Sequence, residues 1–200
     1  MRRLTVLISA LVFAVVGAIS AAAPCHATPI TYTEKATASG SLNGVAFSNA
    51  AVTLTMDNDT ASVTGAAPTF INIGTLALTI AGFSPATFVT DVFGSVVNQT
   101  ATIAGFSDRT SNFAILGTID ALFSGYDLMT SIGPVTGAAV PNPFPPPSFP
   151  TSSGPFILTS VTGEATFTAT TSSAVPEPAS LALLGIALAC TGLLRRRSQG

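Results

Sequence analysis

Apolar and polar residues alternate with a period of two along the middle of this chain, and that alternation leaves little room for anything but β-strands. Val52, Leu54 and Met56 alternate with Thr53, Thr55 and Asp57, and Leu76, Leu78 and Ile80 alternate with Ala77 and Thr79. Ala165, Phe167 and Ala169 alternate in the same way with Thr166, Thr168 and Thr170. Successive side chains of a strand point to opposite faces, so each series gives one apolar face and one threonine-rich face. Outside the two ends no stretch carries apolar residues at helical spacing, and Thr, Val, Ile and Phe stand where Glu, Lys and Leu would mark helices.

Gly, Asn and Asp punctuate the alternation at intervals that suit short strands, at Asn43-Gly44, Asp57-Asn58-Asp59, Gly65, Gly74, Gly82, Gly94, Asn98, Gly105, Gly117, Gly125, Gly133 and Gly163. The pattern predicts an all-β domain, a single antiparallel sandwich-like fold in preference to a barrel. Strands are expected at 30–37, 41–47, 51–56, 61–64, 69–73, 75–81, 87–97, 101–106, 112–123, 128–132, 155–161 and 164–170. The segment 113–123 is apolar on both parities apart from Asp120, which suits a central strand buried on both faces, with a short helix as the alternative. Residues 141–150 read Pro-Asn-Pro-Phe-Pro-Pro-Pro-Ser-Phe-Pro. Prolines lack the ladder donor, so this stretch is expected to be a surface loop whose Phe144 and Phe149 either dock a partner or fold back over the core.

The ends are of another kind. Met1-Arg2-Arg3, an apolar run from Leu4 to Ile19 and small residues from Ala21 to Ala27 make a secretory signal peptide over 1–27. Cys25 and Ala27 are the small residues that signal peptidase tests, which places the mature amino terminus at Thr28. Cys25 lacks the leucine three places ahead that lipidation requires. At the other end stand Val175-Pro176-Glu177-Pro178, an uncharged and mostly apolar stretch over 179–194, and Arg195-Arg196-Arg197. At about 1.5 Å per residue that stretch forms a short transmembrane helix of roughly 24 Å. The arginines act as its stop on the cytoplasmic side, so the Pro-Glu-Pro side faces out. Pro176 and Pro178 hold the tripeptide extended in front of the helix, within reach of a membrane enzyme.

Within this tail, residues 175–200, the stretch from Val175 to Arg197 resembles the PEP-CTERM sorting signal of Gram-negative bacteria. The resemblance implies a chain recognised and processed by an exosortase-like membrane protease, with residues 175–178 as the sorting motif. It also implies an exported protein whose β domain is periplasmic while the tail holds it in the inner membrane, and whose destination is the cell surface or extracellular matrix, in association with exopolysaccharide. The competing reading of the tail is an ordinary single-pass anchor.

Between the ends, residues 28–174 suit one domain. Five of the seven basic residues belong to the termini, which leaves Lys35 and Arg109 against Glu34, Asp57, Asp59, Asp91, Asp108, Asp120, Asp127 and Glu164. A surface that acidic is repelled by phosphate backbones, which excludes nucleic acid as a partner. Cys25, Cys190 and His26 are the only cysteines and histidine, and all lie in the terminal segments. The domain therefore has no disulfide, no thiolate or imidazole metal ligand, no Cys/His or Ser/His/Asp nucleophile, and no expected cofactor.

Two function classes follow. One is a non-catalytic surface or matrix protein; the other is a carbohydrate-binding or calcium-binding sandwich module, with a glycosidase using paired acids as a distant third. The chain has no Trp and two Tyr, Tyr32 and Tyr126, so it is poor in the rings that stack on sugars. Asp57 and Asp59 are the calcium candidates, since an Asp-x-Asp turn can aim two oxygens at one ion; the plain alternative is a hairpin turn at Asp57-Asn58-Asp59.

Overall fold

A computed structural model describes residues 27–89, 92–140 and 145–172. The signal peptide up to His26 and the sorting tail from Val175, with the helix expected in each, lie outside the described residues. So do Asp91 and Phe144. No helix among the described residues is long and apolar enough to cross a membrane.

Among the described residues twelve strands form one antiparallel sheet: β1 (Pro29–Leu42), β2 (Val45–Asp59), β3 (Val63–Ala66), β4 (Thr69–Ile73), β5 (Ala77–Ile80), β6 (Ala86–Thr87), β7 (Phe93–Asn98), β8 (Ile103–Asp108), β9 (Phe113–Ile119), β10 (Ile132–Ala139), β11 (Ser148–Thr151) and β12 (Gly154–Thr171). Their order is β3-β4-β7-β8-β9-β10-β12-β1-β2-β5-β6, with β11 also on β12. The all-β class is as expected. The two-sheet sandwich is not: one hydrogen-bonded sheet curls around a single core.

Three long strands explain the curl. β12 carries β1 along one side and, on the other, β11 against its first residues and β10 against its last. Register shifts at Ala36/Thr37 and Ser39/Gly40 bend the β1–β12 pair, as bulges do. Beyond β2 and β5 the chain at Phe88 bridges to Thr151 of β11. There Val89 N donates to Pro150 O at 3.1 Å and Ser152 N to Thr87 O at 2.7 Å. That contact closes a ring through β11, β12, β1, β2, β5 and β6.

The β1–β2 hairpin turns at Asn43-Gly44, both with positive φ, 52° and 78°, the conformation a two-residue hairpin turn requires. The expected strands 30–37 and 41–47 are therefore parts of two longer strands, and 155–161 and 164–170 merge into β12, with Gly163 and Glu164 at the bulge. The expected strand 128–132 is a loop in which Leu128 has φ 65°, and the strand comes later, at β10.

In β9, Ile115, Leu116, Gly117 and Thr118 are all buried, as expected of a strand covered on both faces, and a 3-10 turn at Ala121–Gly125 replaces its continuation to 123. Part of the proline-rich stretch pairs after all. Pro150 stands opposite Pro155, so the two missing donors face each other, while both carbonyls accept, from Val89 N and Asn43 N. Phe149 is 1% exposed and folds back into the core.

The interior holds two aromatic groups. Phe47, Phe83, Phe88, Phe93, Phe149 and Phe156 pack at one end, with centroids 4.7 Å apart for Phe88 and Phe93. Tyr32, Phe123, Tyr126 and Phe167 pack at the other.

Candidate functional site

Both termini of the domain emerge side by side. Ile30 of β1 is in register with Thr171 of β12, and Ser172 N donates to Pro29 O at 3.0 Å. Ala27 is exposed, and Thr28 is held to Thr60 by Thr60 N donating to its carbonyl at 2.9 Å. The chain that leaves toward Val175, Pro176, Glu177 and Pro178 thus starts beside the one that arrives from Cys25 and Ala27. Those motif residues, Cys25 and Arg195 to Arg197 lie outside the described residues.

Asp57 and Asp59 do not form a hairpin turn. They end β2, paired with Thr31 and Pro29 of β1, because the alternation of β2 runs through Asp57 to Asp59 before the chain turns at Thr60–Ser62. Their carboxylates serve different partners: Asp57 accepts from the Thr31 hydroxyl at 2.5 Å, and Asp59 accepts from Ser62 N at 3.0 Å. Among the described residues no three His, Cys, Asp or Glu side chains come together as a metal site.

Asn58, between them, points the other way, toward β4. Its carboxamide donates to Asn72 Oδ1 and to Ile73 O, both at 2.7 Å. Asn72 is fully buried and donates in turn to the Tyr32 hydroxyl and to Asp59 O, both at 3.0 Å, while Tyr32 donates to Leu128 O at 2.6 Å. Side chains thus close the sheet between β2 and β4, where no backbone ladder runs. Burial pushes the Tyr32 phenol up to about 12, against the opposing pull of its bond to Asn72. Burial likewise holds the Tyr126 phenol well above its usual range.

The most unusual group is Glu34, a carboxyl inside the core. It has no exposed surface; its Oε1 accepts from the Thr118 hydroxyl at 2.6 Å, and its Oε2 has no partner. Burial raises its pKa from 4.5 to about 8, and the Thr118 bond opposes that shift. Parity could have found it, since Ile30, Tyr32, Glu34, Ala36 and Ala38 share one face of β1. Among the described residues no second carboxylate is hydrogen-bonded to it.

The outer surface is plainer. Thr136, Thr166, Lys35, Thr53 and Thr79 follow one register line across five strands, and solvent-facing threonine is what a half-buried sheet favours. A shallow groove of about 160 Å³ crosses β7 to β9, lined by Val96, Ile103, Gly105, Ala114 and Arg109. Both tyrosines are buried, so neither offers a ring to a sugar.

The family described as the PEP-CTERM protein-sorting motif matches residues 174–197. No curated protein and no solved structure matches the chain.

Proposed function

We propose that this chain, an exported protein that carries a PEP-CTERM sorting motif and is membrane-anchored in transit, is a non-catalytic surface or extracellular-matrix protein. Its β domain is the cargo. Signal peptidase releases it at Thr28, an exosortase-like membrane protease processes it at Pro176-Glu177-Pro178, and it then associates with exopolysaccharide at the cell surface. The observation that carries this reading is the match over residues 174–197, with Glu177 between two prolines as the one charge ahead of an apolar run and three arginines.

The domain's own chemistry agrees with a cargo role. Among the described residues the acids other than Glu34 cap turns or face solvent, and Glu34 bonds to a hydroxyl in the core. The test is Glu177→Ala in a host that carries an exosortase. Full-length, arginine-tailed protein should accumulate in the inner membrane, and unchanged processing and release would remove the basis for the assignment.

A further inference from the structure

The loop from Asp120 to Ser131, which contains the 3-10 turn Ala121–Gly125 and leads into β10, is tied to the end of the sheet from which the tail departs. Ser131 Oγ accepts from Thr171 N at 2.8 Å, one residue before the last that the structure describes. The loop is pinned from inside. Phe123, Tyr126 and Leu128 are buried, the Tyr32 hydroxyl holds Leu128 O, and Gln99 Nε2 holds Tyr126 O at 2.9 Å. Two large apolar side chains nevertheless face outward, Leu122 at 65% exposure and Met129 at 41%.

Their exposure is held in place by the same device twice. Asp120 Oδ1 accepts from Leu122 N at 2.8 Å, and Asp127 Oδ1 accepts from Met129 N at 2.9 Å. Each carboxylate fixes the backbone two residues on, so the apolar side chains are presented by an anchored loop.

The geometry points to this loop as a membrane-contacting surface, with Leu122 and Met129 seated in a zwitterionic bilayer while the tail holds the chain. The inference rests on the reading of residues 179–194 as a membrane span. Where the chain ends its described part decides the occupant. Residues 172–178 reach at most about 3.3–3.6 Å each, roughly 25 Å in all, so the domain hangs close to the bilayer by this end. A tether that short keeps a weak interfacial contact at high effective concentration. Asp120 and Asp127 flank the two side chains and are repelled by anionic headgroups, which selects the zwitterionic surface.

The chain has no tryptophan, so a single introduced one reports alone. Leu122→Trp, Met129→Trp and, as a control, Val45→Trp would be made in the full chain, purified from an exosortase-free host and reconstituted in phosphatidylcholine vesicles with brominated acyl chains. Val45 is 59% exposed at the β1–β2 turn, roughly 40 Å along β1 from the tail. Expected is a blue shift and about a twofold loss of emission at positions 122 and 129, as for side chains roughly 5–10 Å into the headgroup and acyl boundary, with Val45→Trp unchanged.

If all three variants behave alike while the chain floats with the vesicles, the contact is absent and the tail reading stands. A chain that fails to float overturns both. Shielding of position 122 from acrylamide without bromine quenching would mean that protein, not lipid, covers the loop, and would overturn the proposal.

Discussion

The hydroxyl of Thr118 donates to the carboxyl of Glu34 inside the curled sheet at 2.6 Å, joining two strands that are not neighbours in the sheet. β12 and β10 lie between β1 and β9 along the ladder, so this bond ties together two strands that no backbone ladder joins. A carboxyl there is tolerable only while it is neutral: the ionised form would leave a buried charge with one hydrogen bond and an unpartnered Oε2.

The pH dependence of stability follows from that. The folded pKa of Glu34 is raised to about 8 from 4.5, so between those values the folded state holds a proton that the unfolded state has released. Stability from this group is full below about pH 4.5 and falls as pH rises toward 8, by at most about 1.4 kcal/mol per unit. Thermal melts from pH 5 to 9 should show a falling midpoint, and Glu34→Gln, which keeps an acceptor for Thr118 and cannot ionise, should flatten that fall. A wild-type midpoint that rises over this window would contradict the neutral assignment.

Asn72 closes the sheet on the other side, where it joins Tyr32, Asn58 and Asp59 O without exposure. Asn72→Ala removes a donor from Asp59 O and an acceptor from Asn58, and leaves a void beside Tyr32. A loss of about 2–4 kcal/mol is expected in urea, with the slope of the transition unchanged. Loss of less than about 0.5 kcal/mol would mean that water replaces the side chain and that the seam does not depend on it.

Phe149 distinguishes a loop that docks a partner from one that covers the core. It lies 6.1 Å from Phe93 and 6.4 Å from Phe88, centroid to centroid, with 1% exposure. Phe149→Ala should therefore cost about 3–5 kcal/mol of folding stability, as core aromatic truncations do. A docking residue would leave the urea midpoint unmoved.

The strands that alternate cleanly, β2, β5 and the second half of β12, were legible because one face is core and the other solvent. β10 was not, since Gly133-Pro134 and Gly137 interrupt its pattern, and β11 was hidden by prolines whose missing donors are matched across the ladder. Closure of the sheet by Phe88 and Thr151 depends on residues far apart in sequence, which alternation does not relate. Hence the sandwich expectation: the sequence shows which residues face inward, and a curled sheet and a sandwich bury the same face. Glu34 was counted among the acids although its parity with Tyr32 and Ala36 sets it inside.

Calcium dependence separates an acidic domain from one that uses its acids. Asp57 and Asp59 are the pair that could share an ion, yet Asp57 accepts from Thr31 and Asp59 from Ser62, and the intervening Asn58 is committed to Asn72 and Ile73. Calcium takes six to eight oxygens, so binding here would require both carboxylates to abandon their partners and loop carbonyls to turn toward them. An extracellular-type site with a dissociation constant on the order of 0.1–1 mM would add about 1.4–2.7 kcal/mol in about 10 mM calcium. In a domain of this size that would be a rise of roughly 3–10 °C in the melting midpoint. The expected outcome is a midpoint within about a degree in EDTA and in calcium. Asp59→Asn should be nearly neutral in both, because asparagine caps a turn as well as aspartate does. A rise of several degrees in calcium, abolished by Asp57→Asn with Asp59→Asn, would show that the two carboxylates leave Thr31 and Ser62 for an ion and would make the domain a calcium-binding module.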